Sequence, residues 1–354
     1  MQKFLIIQTA FIGDVVLATG LIEKLHASFP GASIDFLVRK GNEALLIGHP
    51  YLREVLVWNK KEHKFRNLWK MMRRIRREKY DTVINVQRFA ATGLLTALSG
   101  AGQTIGFDKN PLSRFFTHRI PHVVGEGSAA AYGVAEAPSR ETVHEIVRNQ
   151  ALIRAFTGPE PAKPRLYPTL QDAVRVGEFK RSAYLTISPA SVWFTKQYPA
   201  DKWVSFIDKI PAHFTIYLLG AGSDKELCET ILDTAVRPGL TDLSGRLSFL
   251  QSAALMKDAV MNYVNDSAPM HFASAMNAPV TAVYCSTLPS FGFGPLSDQR
   301  FIVEIPETLS CRPCGLHGRK ACPLGHFHCA RKITEEQLLH PILNDFNSFL
   351  LPSR

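Results

Sequence analysis

The 354-residue chain has no run of 18 or more apolar residues, so no membrane-spanning helix is expected. The nearest approach is the uncharged stretch Phe89 to Phe107. Its four Gly, with Thr, Ser and Gln, read as a short helix with flanking turns. No internal repeat and no low-complexity tract is present. At 46% hydrophobic and 20% charged residues, the composition excludes wholesale disorder, a collagen-like repeat and a coiled-coil rod. The start of the chain is apolar, yet Asp14 falls where a signal-peptide core would lie, so a cytoplasmic protein is expected. There is no G-x-G-x-x-G and no G-x-x-x-x-G-K-[ST]. The dinucleotide fingerprint and the Walker loop are both missing, which disfavours a dehydrogenase.

Acidic residues are scarce in one half only. Residues 1–165 carry 24 Lys/Arg against 14 Asp/Glu, whereas residues 166–354 carry 17 of each, so the whole net charge of +10 lies in the first half. Lys60 to Lys79 holds 10 basic and 2 acidic residues. Such asymmetry points either to an anionic partner for that half (nucleic acid, a phosphate-bearing glycolipid, an anionic membrane) or to a solvated helix face.

The apolar pattern alternates between strand and helix. Strands are expected at Lys3–Gln8, Ser33–Val38, Glu54–Trp58 and Thr82–Val86, with helices at Val15–Ser28 and Phe65–Glu78. Three Pro and one Gly in Gly158–Pro164 mark a boundary. The alternation then resumes with strands at Tyr184–Ser188, Phe214–Leu219, Ala259–Val264 and Pro279–Tyr284. An amphipathic helix, Thr334–Leu350, follows behind a capping box, Thr334-Glu-Glu-Gln337. Two doubly wound α/β domains are implied, over residues 1–165 and 166–333. Residues 334–354 are expected to fold back toward the first domain. Ligands should sit beyond the carboxyl ends of the strands.

Four strand-to-helix junctions carry candidate chemistry. In Thr9-Ala-Phe-Ile-Gly-Asp14, Gly13 permits close approach and Asp14 sits at a helix start, as a cap or as a carboxylate aimed at substrate. Ser188 to Lys196 runs from a strand through small residues to a lysine that could hold phosphate. In Leu219-Gly-Ala-Gly-Ser-Asp-Lys-Glu226, Asp224 and Glu226 could bind ribose hydroxyls or merely close a turn. In Val264-Asn-Asp-Ser-Ala-Pro-Met-His271, Asp266 or Ser267 would cap a helix whose free amides attract anions, with His271 one turn in.

Together these segments resemble the ADP-heptose:lipopolysaccharide heptosyltransferases of glycosyltransferase family nine. The residues that carry the likeness are Ile6 to Asp14, His144-Glu145 with Arg148-Asn149, Thr195-Lys196 with Tyr198-Pro199, and Gly220 to Asp224. Asp242 to Ser248, Asn265 to His271, Pro279 to Tyr284 and Gly294-Pro295 complete it. The resemblance implies a GT-B fold, two Rossmann-like domains facing a cleft, and metal-independent, inverting transfer from a nucleotide sugar. It implies Asp14 as the catalytic residue. Thr195, Lys196, Asp224, Glu226, Asp266, Ser267, Ala268, Met270 and His271 fall on the donor side. Gly13, Gln87, Lys64, Arg73, Arg74 and Arg77 fall on the side of an anionic glycolipid acceptor. Ala268 stands where the family usually has Gly, and its methyl group could crowd an amide meant for phosphate. Phe65, Leu68, Trp69, Met72 and Ile75 form a stripe expected to pack on the domain, leaving the arginines toward acceptor or headgroups at the inner membrane face.

Six cysteines remain. Cys228 and Cys285 read as buried singles. Cys311-x2-Cys314-x7-Cys322-x6-Cys329 allows a structural zinc, free thiols or a disulfide. With the basic helix, this cluster would also suit a zinc-containing nucleic-acid-binding protein. That reading leaves Asp14, Lys196 and His271 without a role, so no nucleic acid is expected. A related enzyme using another sugar nucleotide is the remaining alternative.

Overall fold

The structure is a computed structural model in which residues 2–125, 128–132 and 142–344 are described. It has two compact units. One is Met1–Tyr167 with Ser290–Gly292, and the other is Pro168–Pro289 with Phe293–Arg354. In the first, strands β1 (Lys3–Ile7), β2 (Ser33–Arg39), β3 (Leu52–Trp58), β4 (Thr82–Asn85), β5 (Gln103–Phe107) and β6 (His118–Ile120) form one parallel sheet ordered β3-β2-β1-β4-β5-β6. The second holds β7 (Tyr184–Ser188), β8 (Thr215–Leu218), β9 (Leu240–Asp242), β10 (Met261–Asn265), β11 (Val280–Tyr284) and β12 (Arg300–Glu304). Its sheet is ordered β12-β11-β10-β7-β8-β9, the same arrangement read from the other edge. Strand order reverses between β1 and β4 and between β7 and β10, the points at which such sheets bind ligands.

The central strands are buried nearly throughout because helices cover both faces. Leu5, Ile6 and Ile7 in β1, and Val280, Ala282 and Val283 in β11, are fully buried. Asp35 in β2 is buried too, and is held by Arg53 and the Tyr80 hydroxyl. Among the described residues, no helix is long and apolar enough to cross a membrane.

Three expectations need correction. Phe89–Phe107 contains the helix Ala90–Ala97 and then β5, which the sequence reading leaves as a turn. The stripe on the helix Lys64–Glu78 divides along its length. Met72 and Ile75, with Met71, are buried, whereas Phe65 is 76% and Trp69 is 64% exposed. The final helix, Glu335–Asn344, does not turn to the first domain. Leu338, Leu339 and Ile342 join the core of the second unit, and Glu335 meets Lys202 at 2.8 Å. Burial opposes ionisation of Glu335, but Lys202, a backbone amide and Lys209 outweigh it and hold its carboxyl near pKa 2. Residues 345–354, including Phe346, lie outside the described residues.

Candidate active site

In the first unit the site forms at the carboxyl ends of β1 and β4. The helix Ile12–Ser28 begins behind Phe11, whose side chain makes no cap. Asp14 is its third residue, half-buried just beyond Gly13, and its carboxylate accepts the Phe11 amide, as in the reciprocal half of a capping box. Burial raises its pKa to about 6, and Glu145 adds to the rise. The backbone amides of Phe11 and Asp14 and the charge of Arg88 oppose it. Gln87 follows β4 and donates to Gln8 Oε1, while its own Oε1 has no partner among the described residues. A buried acceptor of this kind can accept a hydrogen bond from a hydroxyl group.

Two cations at this edge carry no motif in the sequence. Lys60 Nζ donates to Thr9 Oγ1 at 2.7 Å, in the turn that leads to Asp14, and its pKa falls to about 8 through burial and the nearby Arg39. Arg88 acts on Asp14 and also helps to lower His122 to about pKa 4, where burial is the main cause. Glu145 pairs with the fully buried Arg148 at 2.6 Å. Lys64, Arg73 and Arg77 are exposed along their helix, whereas Arg74 is engaged with Glu54.

In the second unit the ends of β7 and β10 meet. Asn265 closes β10. Its Oδ1 accepts Tyr198 N–H at 2.9 Å and its Nδ2 donates to the Pro189 carbonyl at 2.7 Å, so it holds both sides of the loop after β7. That loop carries Lys196, whose Nζ lies 2.6 Å from Asp266 Oδ2. The same oxygen accepts the Thr287 hydroxyl at 2.6 Å. Ser267 is the backbone cap of the helix Ala268–Met276 but makes no side-chain cap bond, which leaves the amide end uncovered by that side chain. A lysine beside the start of a helix is an arrangement able to hold an anion such as a diphosphate.

The remaining donor-side residues divide. His271 is buried near the start of this helix, and Ala268 and Ser267 are half-buried. Met270 is fully buried and receives the Tyr284 hydroxyl, so it belongs to the core. Thr195 is buried, with its hydroxyl bonded to Ser286 and to the Arg319 amide. Asp224 closes its own turn by accepting Ala221 N–H at 2.8 Å; it is half-buried, and Glu226 beside it is exposed.

Cys311, Cys314, Cys322 and Cys329 are free thiols, and no three His, Cys, Asp or Glu side chains converge to hold a metal among the described residues. Cys329 is buried with the second core, and burial, with the neighbouring thiols, raises it to about pKa 11.

Residues 68–324 match the family described as Glycosyltransferase family 9 (heptosyltransferase). The lipopolysaccharide heptosyltransferase 3 of Escherichia coli is 26% identical over 290 residues, covering 78% of this chain and 82% of that protein. The glycosyl transferase family 9 structure from Veillonella parvula superimposes with a TM-score of 0.78 at 19% identity, covering 96% and 95% of the two chains. E. coli ADP-heptose lps heptosyltransferase II superimposes with a TM-score of 0.73 at 20% identity, covering 99% and 98%.

Proposed function

Because the chain belongs to glycosyltransferase family 9, the heptosyltransferase family, we propose that it transfers heptose from ADP-heptose to the lipopolysaccharide inner core with inversion and without a metal. The observation that carries the chemistry is Asp14. A carboxylate with a pKa near 6 is ionised at neutral pH, yet basic enough to take a proton from an acceptor hydroxyl as it attacks the anomeric carbon. Attack from the face opposite the nucleotide inverts that carbon. The departing diphosphate needs positive groups, and Lys196 with the start of the helix Ala268–Met276 supplies them. The acceptor side of the proposal is Gly13, Gln87, Lys64, Arg73, Arg74 and Arg77. Their charge suits the carboxylates and phosphates of inner-core glycolipid.

The same reading makes the protein cytoplasmic, working at the inner membrane face. Phe65 and Trp69, exposed one helical turn apart among cations, support a peripheral contact with anionic lipid. The test is product formation. ADP-heptose with heptose-free lipopolysaccharide should yield ADP and a heptosylated product in the presence of a chelator. Faster turnover of a UDP- or GDP-sugar would select the other donor. Loss of activity on chelation would remove the metal-independent step.

A further inference from the structure

The cysteine-rich stretch, so far without a function, is bonded directly to the loop that carries Lys196. Thr195 N–H donates to the Arg319 carbonyl at 3.1 Å, and Arg319 N–H donates back to Thr195 Oγ1 at 2.7 Å. The Cys314 amide donates to the Ser286 carbonyl at 2.9 Å, while Ser286 Oγ donates to the same Thr195 hydroxyl at 3.0 Å. The Phe194 and Phe327 rings stack with centroids 5.3 Å apart. Gly318 lies against the lysine itself. Its φ is +77°, and a Cβ there would come within 2.9 Å of Lys196 Cγ. Both the backbone and the lysine stem therefore require glycine. Residues 314–327 form a strap over residues 194–196.

The strap also brings a cation. Arg319 is exposed, and among the described residues its guanidinium has no ion pair or hydrogen bond. Arg312, in the same stretch, is instead tied to Glu304 at 2.6 Å and to the Thr287 carbonyl at 2.8 Å. Lys196 is already paired with Asp266, so a nucleoside diphosphate at this edge carries more negative charge than that lysine can balance. We propose that Arg319 is a further donor-binding residue, placed by the strap so that its guanidinium meets the diphosphate of the nucleotide sugar. Guanidinium is always charged and matches phosphate oxygens in pairs, which a second lysine would not. Gly318 lets the strap lie close enough for that contact. The inference rests on the donor reading above.

Calorimetric titration of the full-length protein with ADP tests it. Arg319→Ala should raise the dissociation constant at least about tenfold, the loss of one charge-assisted contact. Arg319→Lys should recover part of that loss, and both should keep the wild-type melting temperature, because the strap is held by backbone groups. Gly318→Ala should weaken ADP as well, by moving the Lys196 stem. Unchanged ADP affinity in Arg319→Ala overturns the assignment. So does a loss that tracks a lowered melting temperature and is not recovered by lysine. If the wild type binds UDP or GDP instead, the donor identity fails and the same variants read Arg319 against that nucleotide. If it binds none of the three, the donor site and this residue's role fall together.

Discussion

Asp14 has a cost as well as a use. Its folded pKa of about 6 lies above the ordinary carboxylate value of 3.8. Between those values the folded chain keeps a proton that the unfolded chain has released. Stability therefore falls as pH rises through that window, and stays lowered above it. Asp14→Asn should raise the melting temperature at about pH 8, with the gain vanishing near pH 4, while turnover falls by about 10²–10⁴-fold. Near-normal turnover would reduce Asp14 to the partner of the Phe11 amide. In the wild type, turnover should drop on the acid side of about pH 6, as the base becomes protonated. On the donor side, Lys196→Ala should weaken ADP binding by about 1.5–3 kcal/mol. Ala268→Gly should strengthen binding if the methyl group crowds the phosphate; equal or weaker affinity would show that the helix start already accommodates the nucleotide.

At the scale of elements, the helix Lys64–Glu78 does two things along its length. Its C-terminal half packs through Met71, Met72 and Ile75, and its N-terminal half holds Phe65 and Trp69 away from that core. Aromatic side chains beside cations insert at the boundary between headgroups and acyl chains, and each cation adds about 1 kcal/mol near an anionic surface. The full-length protein should bind vesicles containing phosphatidylglycerol but not neutral ones. Phe65→Ser with Trp69→Ser should weaken that binding without changing ADP affinity. Removing charge at Lys64, Arg73, Arg74 and Arg77 should raise the acceptor Michaelis constant at low salt, and the effect should fade as screening shortens to about 8–10 Å. Vesicle binding unaffected by loss of both aromatics would return the face to plain solvation. What the sequence shows clearly is the buried part of each sheet, because strands such as β1, β7 and β11 are mostly apolar and bounded by turn residues. Strands β6, β9 and β12 escape notice because they lie at sheet edges, half-exposed and carrying polar residues such as His118, Arg119, Thr241 and Arg300. The stripe misleads for a related reason: helical periodicity says which residues share a face, but not how far along the helix the core extends.

At the scale of the molecule, the strand reversals explain which site residues are legible. Asp14, Lys196 and Asp266 each follow a central strand, so a strand-to-helix junction marks them. Lys60, Arg88 and Arg319 are brought in by contacts spanning tens of residues or more, such as the 124-residue separation of Arg319 and Thr195, and no local pattern announces them. One such long-range contact bears on how the chain is made. Arg148, fully buried, donates to the Val143 carbonyl at 2.8 Å and to the Phe291 carbonyl at 3.1 Å, while Glu145 N–H donates to the Gly292 carbonyl at 2.7 Å. Gly292 has no room for a side chain there, since a Cβ would come within 2.4 Å of the Val143 carbonyl. The first unit is therefore finished by residues translated long after its own sheet. A fragment ending at residue 167 would lose the Phe291 carbonyl from the Arg148 guanidinium and the Gly292 carbonyl from the Glu145 amide, at a cost of about 1–3 kcal/mol. It should melt below the same unit in the intact chain, and adding a peptide of residues 286–296 should restore part of the difference. On the ribosome, at about 5–20 residues per second, the early half must wait several seconds for its last piece. During that interval the Glu145 amide and the edge of the Arg148 guanidinium that later meets Phe291 face water, at a stage when the sheet of the first unit is already built.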